Sequence, residues 1–215
     1  MARIKVLAFD LDGTLIDSAP DIADAANATL VALGAKPLAE AEIRGMIGDG
    51  AVVLLQRALA AARIDLPLDR VMPGFAAQYA EAATNRTRLY PGVAETLAAL
   101  TAAGFQLGIC SNKPFAPACQ VLEHFGIARY FRCVIGGDSL PQRKPAPEPL
   151  WAVIDALGGT AAEAAMVGDS ANDLLCAQAA SVMSIIIPSG YGKAAETADL
   201  MLARFDELPE VLARL

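Results

Sequence analysis

Two carboxylates, Asp10 and Asp12, stand two residues apart at the end of an apolar run, in the segment FDLDGTLIDS from Phe9 to Ser18. Residues i and i+2 of a strand project to the same side, so both acids can face one point in space. Close carboxylates repel, so either one stays protonated or both need a cation. Either outcome is useful chemistry: a nucleophile beside an acid, held by a metal. Gly13 and Thr14 let the chain turn sharply away. For the pair alone, the plainer alternative is a polar strand end with a helix-capping Asp.

Three further apolar runs lead into reactive residues. Cys110-Ser111-Asn112-Lys113 offers a hydroxyl and an amide. Gly136-Gly137-Asp138 leads into SLPQRKPAPEPL, where Lys144 lies between Arg143 and Pro145. MVGDSANDL, Met166 to Leu174, places Asp169 and Asp173 four residues apart. Acids come from two runs, a hydroxyl from one and a cation from another. Their order and placement make coincidence the weaker explanation.

The elements that must position these groups are short and β-branched: Ile4–Phe9, Phe105–Cys110, Cys133–Ile135, Ala164–Val167 and Val182–Ile187. Several are apolar throughout, as strands buried on both faces should be. Helical patterns at Val93–Ala103, Ala118–Phe125, Pro149–Leu157 and Asn172–Ala180 lie between most of them. The alternation predicts an α/β fold, a doubly wound parallel sheet with a Rossmann-like core. Ligands of such folds bind at the carboxyl ends of the strands. From about Ser18 to Arg88 the pattern is helical only, with Asp21–Leu33, Ala51–Arg63 and Met72–Ala83 rich in Ala and Leu. This predicts a small helical domain (17–89) inserted into a catalytic core (1–16 and 90–215). Hinges are expected near Ile16–Ala19 and Thr87–Pro91.

With these motifs in this order, the chain resembles the haloacid dehalogenase superfamily of phosphatases. The matching residues are DLDGT (Asp10–Thr14), the Ser of CSNKP (Ser111), the Lys of RKP (Lys144) and GDSANDL (Asp169, Asp173). The resemblance covers essentially the whole chain, and the helical insert matches the family's small cap. Within the superfamily, the wording of FDLDGTLIDS, YPGV, SNKP and IGGDSLPQRKPAPEPL is most similar to bacterial phosphoglycolate phosphatases.

The resemblance implies that Asp10 attacks phosphorus to form an aspartyl-phosphate. Asp12 would protonate the leaving alcohol and then activate water. It implies Mg²⁺ held by Asp10, the backbone carbonyl of Asp12 and Asp169. Ser111 would bind a phosphate oxygen and Lys144 would balance charge, with Asp173 supporting the metal or Lys144 from behind. An acid at Asp12 excludes the superfamily's dehalogenases and phosphonate-cleaving enzymes, and points to phosphate esters, anhydrides or phosphomutase chemistry. Discrimination between substrates is expected from the cap. Arg44 is the favoured contact; Gly48, Asp49 and Gly50, at the start of the next helix, and Asn112 are further candidates. The alternative for Asp49 is simply to cap Ala51–Arg63.

The chain has 215 residues, 55% of them hydrophobic, enough to bury a large core. Its net charge is −7 and its pI about 4.7. No Lys/Arg stripe marks a nucleic-acid or anionic-membrane partner, so positive charge must be supplied locally. The expected partner is a small phosphorylated substrate, acted on by a monomer or homodimer. Cys110, Cys119, Cys133 and Cys176 form no CxxC pair and read as small core residues. A reducing cytoplasm is the expected compartment. His124 reads as a helix-end residue. Gly190–Lys193, GYGK, lacks the leading Gly and trailing Ser/Thr of a P-loop, and Gly48–Gly50 lacks the third Gly of a dinucleotide fingerprint. Relatives usually carry Gly in the turn where Ala180-Ser181-Val182 stands here. The alternatives are a sugar-phosphate phosphatase, a pyrophosphatase or a phosphomutase of the same architecture. A signalling receiver domain should be half this length and lack the paired acids. A binding protein on an inactive phosphatase scaffold sits poorly with the intact motifs.

Overall fold

A computed structural model describes residues 4–188, 191 and 197–215. The strands β1 (Val6–Phe9), β4 (Gln106–Cys110), β5 (Phe131–Ile135), β6 (Ala164–Gly168), β7 (Met183–Ile186) and β8 (Leu200–Met201) form one sheet in the order β5-β4-β1-β6-β7-β8. All pairings in it are parallel. Side chains of β1 alternate between two apolar clusters. Leu7 and Phe9 join the residues of α5 (Val93–Ala102), α6 (Phe115–His124) and α9 (Leu208–Leu212). Val6 and Ala8 join those of α7 (Glu148–Ala156) and α8 (Ala171–Ala180). Both faces of the strand are therefore buried, which is why it reads as an unbroken apolar run.

Between β1 and β4 the chain leaves the sheet. A two-stranded antiparallel ribbon, β2 (Ile16–Asp17) with β3 (Arg88–Leu89), carries the exit and the return side by side. Four helices lie between them: α1 (Ala19–Ala32), α2 (Glu40–Arg44), α3 (Ala51–Ala61) and α4 (Leu68–Ala82). The α1 and α4 helices pack on one another, and the layer shares the apolar cluster of the sheet. The α4 helix buries Val71, Phe75 and Tyr79, spaced four apart on one stripe.

The sequence pattern leaves out several short elements: the ribbon, of which Arg88 belongs to a region expected to be helical, and β8, α2 and α9. A two-residue strand has no room for periodicity. The α4 helix begins four residues before the predicted Met72, because Pro67 and Leu68 open it where Pro is tolerated at a helix start. His124 is exposed in the last turn of α6. All four cysteines are free; Cys110 and Cys176 are buried. Gly190, Gly192 and Lys193 of the GYGK segment lie outside the described residues. No helix among the described residues is long and apolar enough to cross a membrane.

Candidate active site

The chain runs from β1 to β4 and β5 on one side, then returns to β6 on the other side of β1. The carboxyl ends of β1, β4 and β6 therefore meet at a topological switch point. Asp10 follows β1 directly, and its N–H donates to the Val167 carbonyl (2.9 Å), fixing it beside β6. The next residues close a tight turn in which the N–H groups of Leu15 and Ile16 both donate to the Leu11 carbonyl. Gly13 takes φ +92 in that turn, and a Cβ there would stand 2.5 Å from Asp169 Oδ2. Two constraints thus coincide at Gly13: a backbone conformation L side chains avoid, and space that a carboxylate fills.

Lys144 is the electrostatic centre. Its Nζ donates to Asp10 Oδ1 (2.8 Å) and to Asp173 Oδ1 (2.6 Å), with all three groups buried. Burial pulls the ammonium's pKa down, but the two carboxylates outweigh it and hold Lys144 well above the ordinary lysine range. Burial pushes Asp10 up to about 6, against the pull of Lys144. The other oxygen of Asp173 accepts from the Ser170 hydroxyl (2.7 Å) and from the N–H groups of Ser170 (3.1 Å) and Asp169 (3.2 Å). Asp173 therefore both anchors Lys144 and satisfies the N-terminus of α8 in a capping box with Ser170.

Asp10, Asp169 and Asp173 each present a carboxylate oxygen within 4.8 Å of the others. Both oxygens of Asp173 are taken, Oδ1 by Lys144 and Oδ2 by Ser170 and the Asp169 amide, whereas Asp10 meets Lys144 through Oδ1 only, so Asp10 and Asp169 are the better placed acids for an ion. Asp169 Oδ1 also accepts from the Thr14 hydroxyl (3.1 Å). Hard oxygen donors beside a turn with no side chain at Gly13 fit a divalent cation such as Mg²⁺ or Mn²⁺.

Asp10, Asp12 and Ser111 line one cavity of about 210 Å³ beneath the helical layer. Ser111 Oγ accepts the Lys113 N–H (3.3 Å), so its own proton remains available to a ligand. Asp12 is held from two sides. Ser18 Oγ donates to it (2.6 Å), and Lys113 Nζ donates to Oδ1 (2.9 Å) and Oδ2 (3.1 Å).

The match to the haloacid dehalogenase-like hydrolase model spans residues 7–187, from β1 past β7. The chain belongs to this family. Among its relatives of this superfamily, a phosphoglycolate phosphatase of Rhodospirillum rubrum is 41% identical over 210 residues, covering 94% of this chain and 87% of the relative. One of Vibrio parahaemolyticus is 40% identical over 220 residues, covering 98% and 96%. The crystal structure of a "predicted phosphoglycolate phosphatase" from Haemophilus somnus superposes with a TM-score of 0.93 at 33% identity, covering 98% of this chain and 99% of that one. That of CbbY from Rhodobacter sphaeroides in complex with phosphate gives 0.82 at 26% identity, covering 95% and 96%.

The structure of this hydrolase brings Asp10, Asp12, Ser111, Lys144, Asp169 and Asp173 together at one sheet edge. The expected cap contacts fall differently. Arg44 does not line the cavity. Its guanidinium pairs with Asp17 (3.1 and 3.2 Å) and lies 4.9 Å over the Tyr191 ring, at the β2–β3 ribbon. Asp49 neither caps α3 nor lines the cavity. Gly50 is the N-cap, with no side-chain cap bond, and Asp49 pairs with Arg57 (2.6 Å) and accepts from Asn172 (2.7 Å). Gly48 and Gly50 do reach the cavity. Gly50, at φ +88, sits so close that a Cβ would stand 3.1 Å from the Asn112 carbonyl oxygen. The Asn112 amide is engaged by protein: it donates to the Gly48 and Lys144 carbonyls (3.0 and 2.9 Å) and accepts the Lys144 N–H (3.0 Å). It fastens the Gly48–Gly50 loop to the segment that carries Lys144.

Lys113 and Tyr79 are cavity groups that sequence reasoning missed. Lys113 is buried, and Tyr79 Oη accepts from its Nζ at 2.6 Å. Burial pulls Lys113 down, yet Asp12 and Tyr79 raise it above the ordinary lysine range. The signal was present: Lys113 follows the motif Ser by two residues, and Met72, Phe75, Ala76 and Tyr79 line the cavity at helical spacing.

Proposed function

We propose that this hydrolase converts 2-phosphoglycolate to glycolate and phosphate with Mg²⁺, through an aspartyl-phosphate on Asp10. The residues of 17–89 act as a cap over a core of 1–16 and 90–215. The carrying observation is that Asp10 and Asp12 open onto a single small cavity whose far wall, Ile22, Ile47, Leu54, Met72, Phe75 and Ala76, is apolar.

An Asp10 oxygen attacks phosphorus while the bond from phosphorus to the ester oxygen breaks, and Asp12 gives its proton to that oxygen. Asp12 then takes a proton from water. The water oxygen attacks phosphorus, and the acyl-phosphate bond breaks to release phosphate and restore Asp10. Ser111 donates to a phosphate oxygen. Lys144, pinned by Asp173, holds Asp10 in place and offsets its charge. The carboxylates of Asp10 and Asp169 and the backbone carbonyl of Asp12 would hold Mg²⁺, which when bound offsets the charge of the phosphate dianion. The apolar wall disfavours a sugar phosphate, because each buried hydroxyl left without a partner costs about 1–3 kcal/mol. Phosphoglycolate brings one methylene and one carboxylate.

Steady-state kinetics on a panel of phosphorylated metabolites with Mg²⁺ tests the assignment. Phosphoglycolate is expected to have the highest kcat/KM. A tenfold preference for a sugar phosphate or pyrophosphate would overturn it.

A further inference from the structure

The substrate's carboxylate needs a partner in an otherwise apolar chamber, and Arg44 is committed elsewhere. Resting on the reading of the substrate above, we propose that Lys113 and Tyr79 form the carboxylate subsite that determines specificity. It selects phosphate esters of short 2-hydroxy acids.

Three observations carry this. Lys113 is the cation that lines the cavity among the described residues. An ammonium has three donors; one direction is taken by Asp12 and one by Tyr79, leaving the third for a ligand. Tyr79 Oη accepts from Lys113, so its own proton is free, and among the described residues the hydroxyl makes no other hydrogen bond. A buried donor of this kind calls for an acceptor. Two donors therefore sit side by side, 2.6 Å apart, and a carboxylate presents two acceptors side by side.

Position gives the chain length. Asp12 must touch the ester oxygen to protonate it, and Lys113 lies one hydrogen bond from Asp12. In phosphoglycolate the carboxyl carbon is two bonds from that oxygen, so it falls beside the donor pair. The pair is also well fixed. Tyr79 stacks on Phe75 (centroids 6.2 Å apart, planes 6° apart), and the Lys113 ammonium lies 4.7 Å from the Tyr79 ring centroid. Lys113 belongs to the sheet edge and Tyr79 to the helical layer, so the subsite is complete only when the two meet. Specificity thus comes from both parts of the chain.

The test uses the full chain with Mg²⁺ and two esters of equal length, 2-phosphoglycolate and ethyl phosphate. The variants are Tyr79→Phe, Lys113→Met and Lys113→Arg. The measure is the ratio of kcat/KM between the two esters, with competitive inhibition by 3-phosphonopropionate, an inert carboxylate analogue, compared with that by inorganic phosphate. Wild type is expected to favour phosphoglycolate by about 100-fold or more. Tyr79→Phe should cut that ratio about tenfold, chiefly through KM for phosphoglycolate, as expected for one hydrogen bond to a charged group. Lys113→Met should remove most of the preference and weaken the phosphonate far more than phosphate. Lys113→Arg, which keeps the charge, should restore part of both. If Tyr79→Phe and Lys113→Met lower both esters by one common factor and the phosphonate tracks phosphate, the pair only holds Asp12 and the subsite is refuted. A wild type without preference for phosphoglycolate overturns the substrate reading and the subsite together.

Discussion

Replacing Asp173 by Asn changes one atom of a fully buried carboxylate, and the structure says what that atom was doing. One oxygen of Asp173 accepts from Lys144. The other accepts from the turn that opens α8: the Asp169 and Ser170 amides and the Ser170 hydroxyl. An Asn side chain offers one acceptor and one donor group. In one orientation its NH₂ faces the Lys144 ammonium; in the other it faces two backbone N–H groups. Neither orientation satisfies both sides. Removing one partner of a buried ion pair costs about 3–5 kcal/mol. Lys144 keeps Asp10 at 2.8 Å, so the lower end, about 3 kcal/mol, applies. For a chain of this size each kcal/mol shifts Tm by about 2–4 °C, which gives a fall of roughly 6–12 °C. The assay is thermal unfolding in chelator, so that ion binding does not contribute, for wild type, Asp173→Asn, Lys144→Met and the double variant. The double variant should be less destabilised than the sum of the singles, by at least about 1 kcal/mol. A Tm within about 2 °C of wild type for Asp173→Asn, with additive singles, would refute the anchoring role.

Other outcomes follow from the same geometry. Asp10 is raised from 3.8 to about 6 by burial, so the folded state holds that proton more tightly than the unfolded chain. The contribution is present below about pH 4 and is lost as pH rises through about 6. Melts of ion-free wild type and Asp10→Asn should therefore diverge across that window, the variant becoming relatively more stable; parallel curves would contradict it. Gly13→Ala drives a Cβ into Asp169 at a strained φ, so the Mg²⁺ concentration for half-maximal activity should rise about 10- to 100-fold; an unchanged titration would count against the ion site. Ser181 ends α8 in the left-handed conformation (φ 56, ψ 41), which costs a non-glycine residue about 1 kcal/mol. Ser181→Gly should raise Tm by about 2–4 °C, and a lower Tm would contradict that strain.

The parallel sheet was legible because strands buried on both faces leave apolar runs such as Val6–Phe9. The helical insert was legible because its helices are long enough to show their period. Paired acids at a strand end pointed to chemistry on physical grounds alone, since Asp10 and Asp12 need a reason to be brought together. Cap contacts were not legible. Arg44 is a cation near a glycine-rich loop, but its charge is answered by Asp17, 27 residues away in the chain. Asp49 stands next to a helix start, yet Arg57, within that helix, and Asn172 take its carboxylate. Lys113 looked like the tail of a motif, and its partner Tyr79 looked like one more apolar position of an Ala-rich helix. Long-range pairing of side chains, unlike period or burial, leaves no local trace. At the turn after α8 the sequence shows Ala180-Ser181-Val182 without a glycine, but not that Ser181 takes the left-handed conformation.

The central claim is that Asp10 takes the phosphoryl group. On this account Asp12 both protonates the leaving oxygen and activates water, so in Asp12→Ala the phosphorylated intermediate should accumulate from an ester whose leaving group needs no proton. Acid-quenched Asp12→Ala enzyme mixed with p-nitrophenyl phosphate and Mg²⁺, then treated with borohydride and digested, is expected to show reductive conversion to homoserine at Asp10 and at no other acid. A phosphoryl adduct mapped to another residue, or undiminished turnover by Asp10→Asn, would contradict it.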